Sequence, residues 1–341
     1  MGKIDFVITW VDGNDREWIA KKKEYEGLQP KEKKDAGGEK EKADVRYRDW
    51  ELLPYLFRGI EKYAPWVHHV FLVTDHQLPD WLDTENPKVS VVYHDAFIPT
   101  EYLPTFNSHT IELNLHRIPG LSEQFVYFND DCFLTKACRP EDFFRHGRPV
   151  DEAALNGING KDEEFASIQF QNISLMNRYY STSDCRRHLW KWLYPGYGMQ
   201  VIRTLLLLPF DRLQGIYNPH GPMALLKSTC QKVWERDRAI LEDTCKCRFR
   251  SGQNVSPYIF RYEQLLKGNF VPHKRIRGYC TAADSLRRIA GLMGRYRMVC
   301  INDAAMDEKR FLAAKKGICR LMEQKFPKKS RFERQERKSL P

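Results

Sequence analysis

Apolar residues in the first third of the chain come in short runs that stop on an acid or an amide. Ile4–Trp10 (IDFVITW) is β-branched and aromatic and runs into Asp12-Gly13-Asn14-Asp15, the pattern of a buried strand feeding a polar loop. Val70–Thr74 (VFLVT) ends at Asp75, Val89–Tyr93 (VSVVY) at His94-Asp95, and Phe125–Phe128 at Asn129-Asp130-Asp131. Between these runs, Leu52, Leu53, Leu56 and Ile60 recur at helical spacing, which predicts a helix capped by Asp49 with Pro54 in its first turn. Asn107 or Ser108 opens another helix carrying Ile111, Leu115 and Ile118. The order strand, helix, strand, strand, helix, strand predicts a Rossmann-like α/β fold, a mixed sheet flanked by helices. Ligands of such sheets bind in the loops at the strand ends, where this chain keeps its polar residues.

The second half is less regular and reads as mostly helical, packed on the sheet. Gln169–Met176 is expected as a strand and Pro222–Thr244 as a long helix with Pro222 in its first turn. Tyr258–Leu266 and Asp307–Phe326 are expected as further helices. No internal repeat or linker divides the chain, so residues 1–341 are expected to form one unit. Two segments stand apart. Residues 21–43, nearly all Lys, Glu, Gly and Pro, read as a mobile charged insertion, and residues 327–341 as a basic C-terminal tail.

Composition narrows the class. With 42% hydrophobic residues, nineteen Phe, sixteen Tyr and eight Trp, the chain is no disordered protein. No run approaches a membrane span: the longest, Val201–Phe210, is broken by Arg203 and stops at Pro209. The start of the chain shows no signal-peptide pattern. Nine Cys, an odd and scattered set, suit a reducing interior, and neither Cys132 with Cys138 nor Cys245 with Cys247 has a zinc spacing. The expected location is therefore the cytoplasm. The net charge of +10 lies largely between Lys309 and Lys338, which suggests peripheral contact with the anionic inner face of a membrane or with a polyanionic product. No groove-reading motif accompanies it, so nucleic acid is not an expected partner.

Several residues have the chemistry of a site. Asn129-Asp130-Asp131 at a strand end is suited to holding a divalent cation or a diphosphate, although Asn and Asp also simply favour turns. Thr9, Trp10, Val11 and Asp12 follow the first strand, where a nucleotide or sugar phosphate would lie. Asp75 ends the second strand in the same way. His109, His116 and Arg117 sit on or near the helix after Asn107, and Arg117 has the fork that clamps a phosphate. His220, between Pro219 and Pro222 and ahead of the expected helix N-terminus, suits a general base beside an anion. Arg248 and Arg250 could neutralise a phosphoryl group, but an Arg pair on a surface is the commoner case. There is no Walker loop, no GxGxxG and no serine nucleophile elbow.

Four long blocks in a fixed order carry a resemblance. They are IDFVITWVDGND; RYRDWELL through IEKYAPWVHHVFLVTD to FNSHTIELNLHRIPGLSEQFVYFNDDCFL; NPHGP through RFRSGQNVSPYIFRY; and CINDA with the helix ending KFPKKSRFE. In these the chain resembles the Stealth family, which includes bacterial capsular polysaccharide phosphotransferases and the catalytic subunit of the lysosomal-enzyme GlcNAc-1-phosphotransferase. The resemblance implies a glycosyltransferase-A-like, Rossmann-like core and transfer of hexose-1-phosphate from a UDP-hexose donor to a hydroxyl of a glycan acceptor, with UMP leaving. It implies magnesium as cofactor, with manganese as the alternative ion, held by Asp130 and Asp131. Carried over by motif, the catalytic residues fall on Asp131, His220 and Arg250. Donor contacts fall on Thr9, Trp10, Val11 and Asp12, with Asp75, Arg117, Asn129 and Arg248 as further candidates. One departure stands out: where the family is expected to read RFRSPDDV, residues Gln253 and Asn254 replace the acidic pair. A conventional glycosyltransferase releasing UDP and a non-catalytic binder of anionic glycan are the competing readings.

Overall fold

The computed structural model describes residues 2–28, 47–160, 162–274 and 276–335. The first part of the chain forms β1 (Ile4–Thr9), α1 (Arg16–Gly27), α2 (Leu53–Tyr63), β2 (His69–Thr74), β3 (Val89–Tyr93), α3 (Ser108–Asn114) and β4 (Gln124–Asn129). Next come β5 (Cys132–Leu134), β6 (Phe144–Arg145), β7 (Arg148–Asp151), α4 (Glu163–Met176), α5 (Thr182–Arg187), α6 (Leu189–Trp192) and α7 (Met199–Leu207). The last part holds β8 (Met223–Leu226), α8 (Lys227–Lys246), α9 (Tyr258–Leu266), β9 (Val271–Pro272), β10 (Arg277–Thr281), α10 (Leu286–Arg295), β11 (Met298–Asn302) and α11 (Glu308–Lys325).

The central sheet has the order β3-β2-β1-β4-β8. Its first four strands are parallel, and β8 adds an antiparallel edge beside β4. Side chains alternate across the sheet with period two, so each inner strand feeds two cores. Phe6, Ile8, Val126 and Phe128 enter the core shared with α2, α10 and α11, whereas Val7, Phe125 and Tyr127 enter the core shared with α4, α8 and α9. Burial of each such side chain stabilises the fold by roughly 1.5–3 kcal/mol. The chain therefore has an α/β fold: a mixed sheet covered by helices on both faces, as its early strands predict.

A second sheet, β10-β11-β5, abuts the first. β5 follows β4 after only Asp130 and Asp131, so these two residues sit where the chain passes from one sheet to the other. The Ile301 amide donates to the Asp131 carbonyl at 2.9 Å and closes that junction. A third small sheet, β6-β7-β9, is tied to α9 by Arg261. This fully buried guanidinium donates to both carboxylate oxygens of Asp151, at 2.7 and 3.1 Å, and to the carbonyls of Tyr217 and Glu152.

Several expectations need correction. Gln169–Met176 belongs to a helix, not a strand: Asp162 caps α4 by accepting from the Phe165 amide at 3.1 Å, with Glu163 and Glu164 in the first turn. Its buried residues Ile168, Asn172, Ile173, Leu175 and Met176 follow helical spacing once the cap is included. Pro222 does not open a helix. The run Met223–Leu226 is wholly buried as strand β8, and the helix starts only at Lys227. A short apolar run suits either element, and pairing with β4 decides it. Asp49 caps a turn, accepting from the Glu51 amide at 2.9 Å, and α2 starts at Leu53 without a side-chain cap. Of the expected insertion, residues 21–27 complete helix α1 and lie on a described element, while residues 29–43 lie outside the described residues. The basic tail is anchored as far as it is described. Phe332 and Glu333 are buried, and Arg58 donates to both oxygens of Glu333 at 2.9 Å. Residues 336–341 lie outside the described residues.

Candidate active site

The carboxyl ends of β1 and β4, the β4–β5 junction, the loop before β8 and the end of β11 surround one cleft of about 750 Å3. That volume suits a nucleotide-sized ligand. Of the residues singled out in the sequence, Thr9, Trp10, Val11, Asn129, Asp130, Asp131, His220 and Arg250 line it. Thr9, Trp10, Val11, Asn129, Asp130 and Asp131 come from the carboxyl ends of the parallel strands β1 and β4, while the loop before β8 and the loop between α8 and α9 bring in His220 and Arg250.

Asp131 and His220 are joined through a cysteine. Cys300, paired across the sheet with Cys132, lies with its sulfur 3.2 Å from Asp131 Oδ2 and 3.1 Å from His220 Nδ1. Cys132 donates to the other oxygen, Oδ1, at 3.1 Å. A thiol has one proton. With the Cys300 proton donated to the carboxylate, its sulfur accepts from His220 Nδ1–H, which leaves the lone pair on Nε2. Tyr279 packs against the imidazole at 5.5 Å between ring centroids. Burial pushes the Cys300 thiol well above its ordinary value. At Cys132 the contact with Cys300 acts downward, but burial and the Asp131 carboxylate outweigh it and push the thiol up to about 12. Both sulfurs therefore remain S–H donors that fix Asp131.

A second network lines the opposite wall. Arg250 donates to the Ser108 hydroxyl at the start of α3. One turn on, Glu112 accepts from the Tyr127 hydroxyl at 2.8 Å, and Tyr127 also contacts Thr9 Oγ1 (3.2 Å) and Asn129. Burial raises the Glu112 carboxyl to about 7, against the opposing pull of Arg250. Asp130 is likewise raised, first by loss of solvation among the surrounding walls and then by Asp131 and Asp49. Its side chain is exposed on the cleft lining, so solvent access offsets part of that penalty.

The lining favours a hard divalent cation. Seven carboxylates line the cleft (Asp49, Glu112, Asp130, Asp131, Asp162, Glu164 and Asp303) against two guanidiniums, Arg48 and Arg250. Among the described residues, no hydrogen bond of ordinary geometry reaches the buried oxygen Asp303 Oδ2, and Trp50 is its nearest polar influence. Oxygen donors in such excess suit Mg²⁺. Asp131, Cys132, His220 and Cys300 also bring one donor atom each within 4.8 Å of one another, a grouping that sequence spacing could not reveal.

Other candidates stand elsewhere. Asp12 does not line the cleft; its loop is braced by Gln77, which accepts from the Asp12 amide at 2.8 Å and donates to its carbonyl at 2.9 Å. Asp75 pairs with Lys21 at 2.7 Å outside the cleft lining. Arg117 stacks on Trp234 at 4.7 Å, outside the cleft lining. Arg248 donates to the Glu101 carbonyl at 3.2 Å, so Arg250 is the arginine of that pair that reaches the cleft. His116 is buried against Trp234 and pushed down to about 3 by burial, a neutral core histidine. His109 lines the cleft. The helix-terminus argument for His220 fails, because strand β8 follows it. Asn254, in place of an expected acid, is buried; its Oδ1 accepts from Asn107 Nδ2 and from the Ser251 amide, both at 2.9 Å. Gln253 accepts from Gln171 at 3.2 Å on the surface. The acidic pair is thus replaced by groups that brace a loop. Sequence reasoning missed Glu112, Tyr127, Cys300 and Asp303. The motif CINDA carried the last two without showing which way they face.

Comparison with known proteins places this site in context. Residues 2–28 match the model described as Stealth protein CR1, conserved region 1, and residues 46–151 match Stealth protein CR2, conserved region 2. The chain is 38% identical to the exopolysaccharide phosphotransferase cps2G of Lactiplantibacillus plantarum, covering 97% of this chain and 96% of the relative. It is 37% identical to the receptor polysaccharide phosphotransferase WefC of Streptococcus oralis (98% and 100%) and 35% to a capsular polysaccharide phosphotransferase WcwK of Streptococcus pneumoniae (98% and 99%). Among solved structures, the galactosyltransferase LgtC in complex with donor and acceptor sugar analogs is similar at 10% identity and a TM-score of 0.37, covering 92% of this chain and 95% of that one.

Proposed function

This chain belongs to the Stealth family, whose similar members are polysaccharide phosphotransferases, and from that premise we propose that it transfers hexose-1-phosphate from a UDP-hexose to a glycan hydroxyl, releasing UMP. It is a transferase of polysaccharide synthesis. The observation that carries the finer reading is the bridge from Asp131 through Cys300 to His220, on the wall of a cleft that Arg250 enters.

The acceptor hydroxyl attacks the phosphorus that bears the sugar, in line with the bridging oxygen. A new P–O bond forms to the acceptor, the P–O bond to the uridine phosphate breaks, and UMP departs with that oxygen. His220 Nε2 takes the hydroxyl proton, and the Nδ1–H contact to Cys300 fixes the ring. Arg250, held by Ser108, offsets charge on the transferring phosphoryl oxygens. Asp130 and Asp131, with Asp303 nearby on the lining, would hold the divalent cation. Once bound, it neutralises the diphosphate. The C1–O bond of the sugar stays intact, so anomeric configuration is retained.

The test is to identify the nucleotide released from a panel of UDP-hexoses with Mg²⁺ and short glycan acceptors. UMP is expected, dependent on acceptor. His220→Ala should lower the rate by about 10²- to 10⁴-fold, and Asp131→Ala should abolish release. UDP as the product would mean attack at the anomeric carbon, and full activity in His220→Ala would remove the base from this scheme.

A further inference from the structure

Helix α7 (Met199–Leu207) turns its face inside out relative to an ordinary surface helix. Val201, Thr204 and Leu208 face the protein, and Thr204 accepts from the Leu155 amide at 3.1 Å. The outward side presents Met199, Ile202, Leu205, Leu206 and, just beyond the helix, Phe210. Met199 is 72% exposed and Leu206 69%. A water-facing helix side is normally polar, and a contiguous apolar stripe marks a surface meant to be covered. On the next element back in sequence, Trp190 of α6 is 66% exposed.

Basic residues border this stripe. Helix α5 packs on the end of α7: Thr182 donates to the Phe210 carbonyl and Arg186 to that of Leu208. Arg212 donates to the Asn177 carbonyl at 3.0 Å, which brings Arg178 into the same region, and Arg203 lies on α7 itself. From residue 178 to 212 the exposed ionic side chains are Arg178, Arg186, Arg187, Arg203 and Arg212 against Asp211, and Arg187 is paired with the buried Asp184, which leaves four arginines against one exposed acid. Exposed apolar side chains with a rim of Arg form the composition of a helix that lies in the plane of a bilayer interface. Among the described residues no helix is long and apolar enough to cross a membrane.

We propose that α7 docks this protein on an anionic lipid bilayer, with its apolar stripe in the interface and the arginines on lipid headgroups. The surface also connects to the cleft. Leu155, bonded to α7, is ten positions before Phe165, which lines the cleft and is itself half exposed. Docking there presents the cleft to an acceptor carried at the membrane. That last step rests on the transferase reading; the docking itself does not. The strongly basic C-terminal end is the rival anchor, but Phe332 and Glu333 are tied into the fold, and only residues 336–341 lie beyond the described chain.

The experiment is vesicle flotation of the full chain with phosphatidylcholine alone and with phosphatidylcholine containing phosphatidylglycerol. Binding is expected only with phosphatidylglycerol. The double variant Ile202→Glu/Leu206→Glu should weaken it by about tenfold or more, since two apolar side chains leave the interface and two negative charges face it. Deletion of residues 336–341 should leave binding intact. The variant should keep the wild-type melting temperature and the wild-type rate on a soluble acceptor, because both positions are exposed and outside the cleft. Unchanged binding by the double variant, equal binding to neutral vesicles, or loss of binding on tail deletion would each overturn the proposal. So would a stable dimer in solution that the double variant dissociates, which would assign the stripe to a second copy. Failure of nucleotide release with intact flotation would count against the transferase reading and leave the docking surface standing.

Discussion

Replacing Glu112 by Gln should change how stability depends on pH. Glu112 lies between Tyr127 and the Arg250 wall, and burial raises its carboxyl to about 7 from an ordinary 4.5. Between those values the native chain keeps a proton that the unfolded chain releases. Stability therefore falls as pH rises above 4.5, and the loss levels off above about 7. The gap corresponds to roughly 3 kcal/mol as a ceiling. Glu112 is half-buried on the lining of an open cleft, so solvent screening should reduce the realised effect to about 1–2 kcal/mol. Gln is neutral throughout and still accepts from the Tyr127 hydroxyl. Urea unfolding of both proteins from pH 4.5 to 8 should give equal stabilities at the acid end. At pH 8 the variant should be the more stable by about 1–2 kcal/mol. A difference that stays constant across the range would show that Glu112 is not held protonated by its surroundings. A variant that becomes less stable with rising pH would mean that its ion pairing with Arg250 outweighs desolvation.

Two further outcomes follow from the packing. Arg261→Met should leave Asp151 buried with its bidentate partner gone, at a cost of about 3–5 kcal/mol; Arg277, 3.7 Å from Asp151, offsets part of this. Thermal unfolding of Arg261→Met alone and with Asp151→Leu checks it, and the double variant should recover much of the loss. Asn254→Asp restores an acid where the family pattern expects one. Because Asn254 Oδ1 serves only as acceptor from Asn107 and Ser251, transfer rates should stay at the wild-type level; a marked rise would show that the acid acts on substrate.

What the sequence determined by itself is the part of this protein that depends on local pattern. β1, β2, β3 and β4 were legible because a strand buried on both faces reads as a short apolar run ending on polar residues. The start of the helix at Asn107 is legible from its cap, which accepts from the His109 amide at 3.1 Å, whereas its end at Asn114, short of the expected Leu115 and Ile118, is not. Strand ends carry the cleft, so Thr9, Asn129, Asp130 and Asp131 could be singled out before any geometry was known. Met223–Leu226 was misread because four apolar residues favour no element until a neighbour supplies hydrogen bonds, here β4. Gln169–Met176 was misread because the deciding signal, the Asp162 cap, lies outside the apolar run. The site's pairings were beyond reach for a related reason. Arg248 and Arg250 differ by two positions, and only the loop that Asn107 and Asn254 brace decides which one enters the cleft. Cys300 is an ordinary buried cysteine until antiparallel pairing sets it opposite Cys132, between Asp131 and His220. The character of each segment follows from its own residues, but which side chains meet is decided by strand register and sheet order, properties that no single segment contains.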